Sequence, residues 1–171
     1  MSLVRLARPE DLPRLGTLLD EYMQEIFHQP WSGTVEGLHR DALGKEAHTF
    51  VAVDEDLVGF SLWRRTWDAH HCLRGGELLD LYVQKSVRGG SVAPELLLAT
   101  VAAVQADGGC FLKGQGVTAA GDRLYERLAM TFPGTDFILG GRAFRELAAL
   151  QGLPLREVVR RLPPKTANHE P

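Results

Sequence analysis

Apolar and polar positions follow two periods along this chain, and the switches between them mark out its elements. Val4 to Ala7 reads as a short strand, and Arg8-Pro9-Glu10-Asp11 supplies a turn whose acidic residues suit a helix N-terminus. From Leu12 the residues Leu15, Leu18, Leu19, Tyr22, Met23 and Ile26 recur at steps of three and four, which predicts one apolar helical stripe to about Phe27. Pro30-Trp31-Ser32-Gly33 breaks that pattern, and a weaker helical one resumes from Thr34 to Leu43. Thr49 to Val53 and Leu57 to Trp63 are β-rich runs around Asp54-Glu55-Asp56, a hairpin signal. Glu77 to Val83 is a third such run, and the glycine- and histidine-containing stretch Trp67 to Gly76 before it reads as a long loop.

The second half alternates more regularly. Ser91 to Gln105, rich in Leu, Ala and Val with Pro94 tolerated in the first turn, predicts a buried helix closed by Asp107-Gly108-Gly109. Cys110 to Lys113 then reads as a strand, Ala119 to Ala129 as a helix, and Thr135 to Leu139 as a strand. The order β-α-α-β-β-β-α-β-α-β predicts an α/β domain with a mixed central sheet and helices on both faces. That domain is expected over residues 1–140, followed by a packed C-terminal helical extension at 141–162, split at Gly152-Leu153-Pro154, and a flexible tail at 163–171.

Composition narrows the setting. With 171 residues, 44% of them hydrophobic, the chain can bury a core without disulfide staples. Cys72 and Cys110 lie far apart without CxxC spacing, the N-terminus lacks the layout of a secretory signal, and no apolar run would span a bilayer. A cytoplasmic protein without membrane attachment is expected. A net charge of −3 supplies no global field for nucleic acid, so none is expected as a partner, and the assembly expected is a monomer or homodimer.

The most informative segment is Leu79 to Ala93, where a strand feeds a glycine-containing turn that opens a helix. Backbone N–H groups at a helix N-terminus, with the dipole behind them, hold phosphate oxygens, and glycine lets the ligand approach closely. Arg88-Gly89-Gly90-Ser91-Val92-Ala93 here resembles the pyrophosphate signature of the GNAT superfamily of N-acetyltransferases, in which Gln or Arg, two variable residues, Gly, one variable residue and Gly or Ala follow in order. Ser91 stands where that family usually has Gly. Leu81-Tyr82-Val83 falls where the family has the strand before the turn, and Leu96-Leu97 follows as expected. Thr118 to Leu128 is similar to the family's late helix, with Tyr125 at its tyrosine, Thr118 in place of Asn and Gly121 in place of Ala. The likeness extends over roughly residues 3 to 140 and implies a mostly antiparallel GNAT-like sheet.

The resemblance implies that acetyl-CoA is the donor substrate and that an amine acceptor attacks its thioester directly. It implies a cofactor-binding surface of Leu81, Tyr82, Val83, Arg88, Gly89, Gly90, Ser91, Val92 and Ala93, with backbone N–H groups near Leu81 to Val83 polarising the thioester carbonyl. Tyr125 is the implied acid for the departing thiolate, the alternative being a core tyrosine. Glu77 and Asp80 are candidate bases; an odd number of residues apart, they should face opposite sides of the sheet, and a solvated strand carboxylate is the alternative for either. Trp31 and Tyr22 are candidate acceptor-side residues, with Phe27 and Trp63 behind them. His70, His71 and Cys72 do not form a metal site on spacing, because adjacent loop side chains rarely converge on one ion. Arg156, Arg160 and Arg161 read as a solvated helix face. Gly89-Gly90 lacks the GxGxxG spacing of a dinucleotide loop. The rival from another class is a GNAT-fold binding or regulatory module without catalysis, motivated by Ser91, Thr118 and Gly121.

Overall fold

A computed structural model describes residues 3–134 and 136–170. The stripe beginning at Leu12 forms helix α1, Leu12–Phe27, which buries Leu12, Leu15, Leu18, Leu19 and Tyr22 and stops where His28 turns left-handed at φ 55°. Helix α2, Val35–Asp41, is capped by the Thr34 side chain, which accepts the Gly37 N–H. Strands β1 (Leu3–Leu6), β2 (His48–Asp54), β3 (Asp56–Asp68), β4 (Leu73–Val83), β5 (Leu112–Gln115) and β6 (Asp136–Leu139) form one six-stranded sheet in chain order. All neighbours run antiparallel except β4 and β5.

Helices α3 (Val92–Ala106), α4 (Ala119–Arg127), α5 (Gly141–Ala149) and α6 (Leu155–Arg160) complete the element order. Two apolar clusters sandwich the sheet. α1 packs on one face through Leu15, Leu18, Val51 and Phe60; α3 and α5 pack on the other through Leu96, Leu97, Val101, Phe144 and Leu147. Burial of this kind supplies about 25 cal/mol per Å² of apolar surface and is what holds the sheet between its helices. The mixed, mostly antiparallel sheet with helices on both faces is the expected architecture. Among the described residues no helix is long and apolar enough to cross a membrane.

Three expectations change. The stretch 67–76 is not a long loop: β3 and β4 pair out to Asp68 and Leu73, leaving a tight turn in which the His71 ring contacts Asp68 at 2.7 Å. The glycines there serve close packing, since a Cβ on Gly76 would lie 2.4 Å from Val104 and one on Gly75 would lie 2.6 Å from the Phe111 ring. The tail after Pro163 is packed rather than free. Ala167 is fully buried, and the Asn168 side chain accepts the Gly140 N–H at 2.9 Å and donates to the Ala129 carbonyl at 2.8 Å. Of the last predicted strand, Thr135 lies outside the described residues, as does Pro171 at the chain end. Finally, Trp63 is not an acceptor-side residue: it is 2% exposed in the α3-side core and stacks on His48 at 4.4 Å.

Candidate active site

The site begins at a divergence in the sheet. β4 pairs with β5 only over Gly76, Glu77 and Leu78, so from Leu79 to Val83 its outer edge has no strand partner among the described residues. Backbone groups alternate along a strand, and the Gln84 N–H donates inward to the Val58 carbonyl at 2.9 Å. Leu81 and Val83 therefore present their peptide groups to the open edge. The Val83 carbonyl is occupied by the Arg88 Nε–H at 2.7 Å.

A β-bulge shapes the same strand. Leu62 pairs with Asp80 but Trp63 pairs with Leu78, which leaves Leu79 as the extra residue. The bulge resets the alternation: Leu78 packs into the α3-side cluster, yet Asp80 turns to Tyr22 on α1. Glu77, next to Leu78, lies on the α1 side as well. The odd spacing thus does not separate the two carboxylates. Their partners do: Glu77 is ion-paired with Arg64, Nε and Nη2 both at 2.8 Å, whereas Asp80 lines a cavity.

That cavity, about 430 Å³, lies between α1, the following loop and β4. Tyr22, Trp31 and Asp80 all line it, with Leu19, Met23 and Phe27 completing its apolar wall. Trp31 is held by its backbone N–H, which donates to the Asp20 carboxylate at 2.8 Å, and its ring covers Gly16, where a Cβ would meet it at 3.1 Å. Phe27 meets Tyr22 edge-on at 5.7 Å.

Tyr22, Asp80 and Tyr125 are electrostatically coupled. Burial pushes the Asp80 carboxyl above the ordinary carboxylate range, and the Tyr22 hydroxyl bonded to it offsets part of the shift. Burial likewise raises the Tyr22 phenol, with Asp80 adding to it. Tyr125, on α4, is 6% exposed with its ring 4.3 Å from Phe137, so the core reading describes its ring. Its phenol is raised by burial first and then by Asp122 and Asp80, which keeps the hydroxyl protonated. The three residues come from α1, β4 and α4; Tyr22 and Asp80 share the cavity, while the Tyr125 ring packs in the α3-side cluster.

Beyond Val83, a short 3-10 turn over Lys85–Val87 leads into the glycine turn. Gly89 adopts φ 85°, a conformation that favours glycine, and no atom lies within 4 Å of where its Cβ would stand. Ser91 is the N-cap residue of α3, and its side chain makes no capping bond to the first N–H groups of the helix. Arg88 departs from expectation. Its guanidinium is engaged bidentately by Glu25 at 2.7 and 2.8 Å and lies 5.3 Å from the centre of the Tyr82 ring, so it braces the turn rather than standing free for an anion. The paired guanidinium holds the Glu25 carboxyl below its ordinary range.

Glu25 and Glu21 escaped the sequence reading. They stand one helical turn apart on α1, and Glu21 accepts from Gln84 at 2.9 Å while Glu25 takes Arg88, so α1 is fastened to both ends of the turn. The spacing of the two acids on one helix face was the available signal. Among the described residues no group of three His, Cys, Asp or Glu side chains could hold a metal ion.

The model of a family described as acetyltransferase (GNAT) matches residues 12–130. A ribosomal-protein-alanine N-acetyltransferase from Brucella melitensis biovar Abortus 2308 shares 25% identity and superposes with a TM-score of 0.67, covering 78% of this chain and 94% of its own. An N-acetyltransferase from Staphylococcus aureus Mu50 shares the fold at 18% identity and TM-score 0.65, over 82% of this chain and 98% of its own. So does the PaiA N-acetyltransferase of Thermoplasma acidophilum, solved with coenzyme A, at 19% identity and TM-score 0.62, over 81% and 96%. Comparison with curated protein sequences gives no significant match.

Proposed function

The chain belongs to the GNAT family of acetyltransferases, and from that membership we propose that it transfers the acetyl group of acetyl-CoA to a primary amine by direct attack, with the donor on the open edge of β4 and the acceptor in the cavity beside α1. The observation that carries this reading is Asp80: it stands on β4 just past the last residue paired with β5, is bonded by Tyr22 and lines the cavity. The coenzyme A bound to the Thermoplasma relative supports the donor's identity.

In this reading the pyrophosphate rests on the backbone N–H groups of Gly89, Gly90, Ser91, Val92 and Ala93, and the pantetheine arm follows Leu81, Tyr82 and Val83. Arg88 contributes by bracing the turn against Glu25. Asp80, its carboxyl raised by burial, is the group that accepts the proton from the ammonium or from the attacking nitrogen. The nitrogen lone pair attacks the thioester carbon; the carbonyl π pair moves to oxygen, and peptide N–H groups at the open edge stabilise the oxyanion. The oxyanion then collapses, the C–S bond breaks, and its electron pair leaves on sulfur. Tyr125 donates a hydrogen bond to that sulfur as charge builds, and the thiolate leaves as thiol by taking up the proton that the nitrogen loses as the amide forms. Glu77, neutralised by Arg64, is the weaker base candidate.

Tyr125→Phe tests the assignment. Hydrogen bonds to charged groups are worth about 1.5–3 kcal/mol, so kcat should fall about 10- to 150-fold with acetyl-CoA affinity retained. Acetyl-CoA-dependent thiol release in the presence of amines is the readout, and its absence with every amine tried would point to the non-catalytic module instead.

A further inference from the structure

The walls of the acceptor cavity define a substrate class more narrowly than "amine". Leu19, Met23, Phe27 and Trp31 make them mostly apolar, Tyr22 and Gln29 add neutral polar groups, and among the described lining residues Asp80 is the sole charged group. The other carboxylates of α1 are directed elsewhere: Asp20 to the Trp31 N–H, Glu21 to Arg14 and Gln84, Glu25 to Arg88. The nearby cations are likewise held, Arg14 by Glu21 and Asp56 and Arg88 by Glu25. One ammonium therefore finds one carboxylate. A second ammonium would find no second carboxylate along these walls, and a carboxylate on the substrate would meet Asp80 with no cation to offset the repulsion.

Resting on the acetyl-transfer reading, we infer that the acceptor is a small primary monoamine with an apolar alkyl or aryl substituent, its nitrogen at Asp80 and its substituent against Met23, Phe27 and Trp31. A volume of about 430 Å³ suits such a compound. Polyamines, free amino acids and peptide N-termini are disfavoured by the same walls, the first two on charge and the third because a peptide backbone lying on Leu19, Met23 and Phe27 would find Gln29 and Tyr22 as its neutral polar partners there and little else.

Matched amines isolate each charge. With saturating acetyl-CoA, thiol release should give a kcat/KM for hexylamine at least about tenfold above that for hexamethylenediamine, and one for phenethylamine at least about tenfold above that for phenylalanine or a tetrapeptide with a free N-terminus. Met23→Glu, which adds a second carboxylate to the wall, should reverse the hexylamine preference while leaving the KM for acetyl-CoA unchanged. Preference for the diamine, the amino acid or the peptide by the unaltered protein would overturn the inference and leave acetyl transfer standing, and so would an unchanged preference in Met23→Glu. No turnover of any amine would sink the transferase reading itself.

Discussion

Asp80 and Tyr125, the proposed base and acid, are both raised by burial, and for Asp80 that shift has a sign in rate and in stability. The Asp80 carboxyl is raised, so as a base it works only above a pKa higher than the ordinary 3.8. kcat/KM should fall with decreasing pH through that raised value, and Asp80→Asn should lose the limb along with about 100-fold or more of the rate. The same shift acts on stability in the opposite sense. Between the unfolded and folded pKa values the native state binds more protons, so ionising Asp80 costs stability as pH rises. Asp80→Asn should therefore melt higher than the wild type at pH 7 while being the less active protein. A variant that loses both activity and stability would mean that Asp80 is a structural hydrogen-bonding partner of Tyr22 rather than a strained base.

At the level of elements, the glycine turn between β4 and α3 is the proposed donor site, and its conformation sets what it tolerates. Gly89→Val introduces a β-branched residue at φ 85°, in open space, so the penalty is backbone strain of about 1–3 kcal/mol rather than a clash. Acetyl-CoA affinity, measured by titration, should drop at least tenfold with the far-UV spectrum unchanged. This turn and α1 were legible in the sequence because their signals are local: a glycine pair after an apolar strand, and an apolar residue every three or four positions. The hairpin arm at 67–76 was not, since glycines that admit Val104 and Phe111 look the same in sequence as glycines that make a turn. Nor was the common facing of Glu77 and Asp80, because strict alternation fails at a bulge that only pairing with β3 creates. The Arg88 to Glu25 pair joins residues 63 positions apart, beyond the reach of any local pattern.

Across the whole molecule, the sheet edge and the chain ends are fastened by ion pairs whose weight depends on burial. Asp11 is 5% exposed and accepts from Arg5 at 2.6 and 2.9 Å and from the Arg8 N–H at 2.8 Å, tying β1 to the start of α1. Its carboxyl is lowered, chiefly by the Arg5 hydrogen bonds, so its contribution is complete above the unfolded value near 3.8 and is lost as pH falls through the folded one. Asp11→Asn should cost about 1–3 kcal/mol at pH 7, read by denaturant unfolding, and should flatten the acid limb of the stability curve. The exposed pairs of α6, Arg160 and Arg161 with Glu157, should contribute about 1 kcal/mol or less each. What unites these parts is a scaffold in which β4 parts from β5 after Leu78 and leads into the glycine turn, where the donor is proposed to bind. Calorimetric titration with acetyl-CoA tests that most directly. Micromolar binding by the wild type, lost in Ser91→Leu, is the result predicted by a donor site on the 88–93 turn; no binding by the wild type would contradict it.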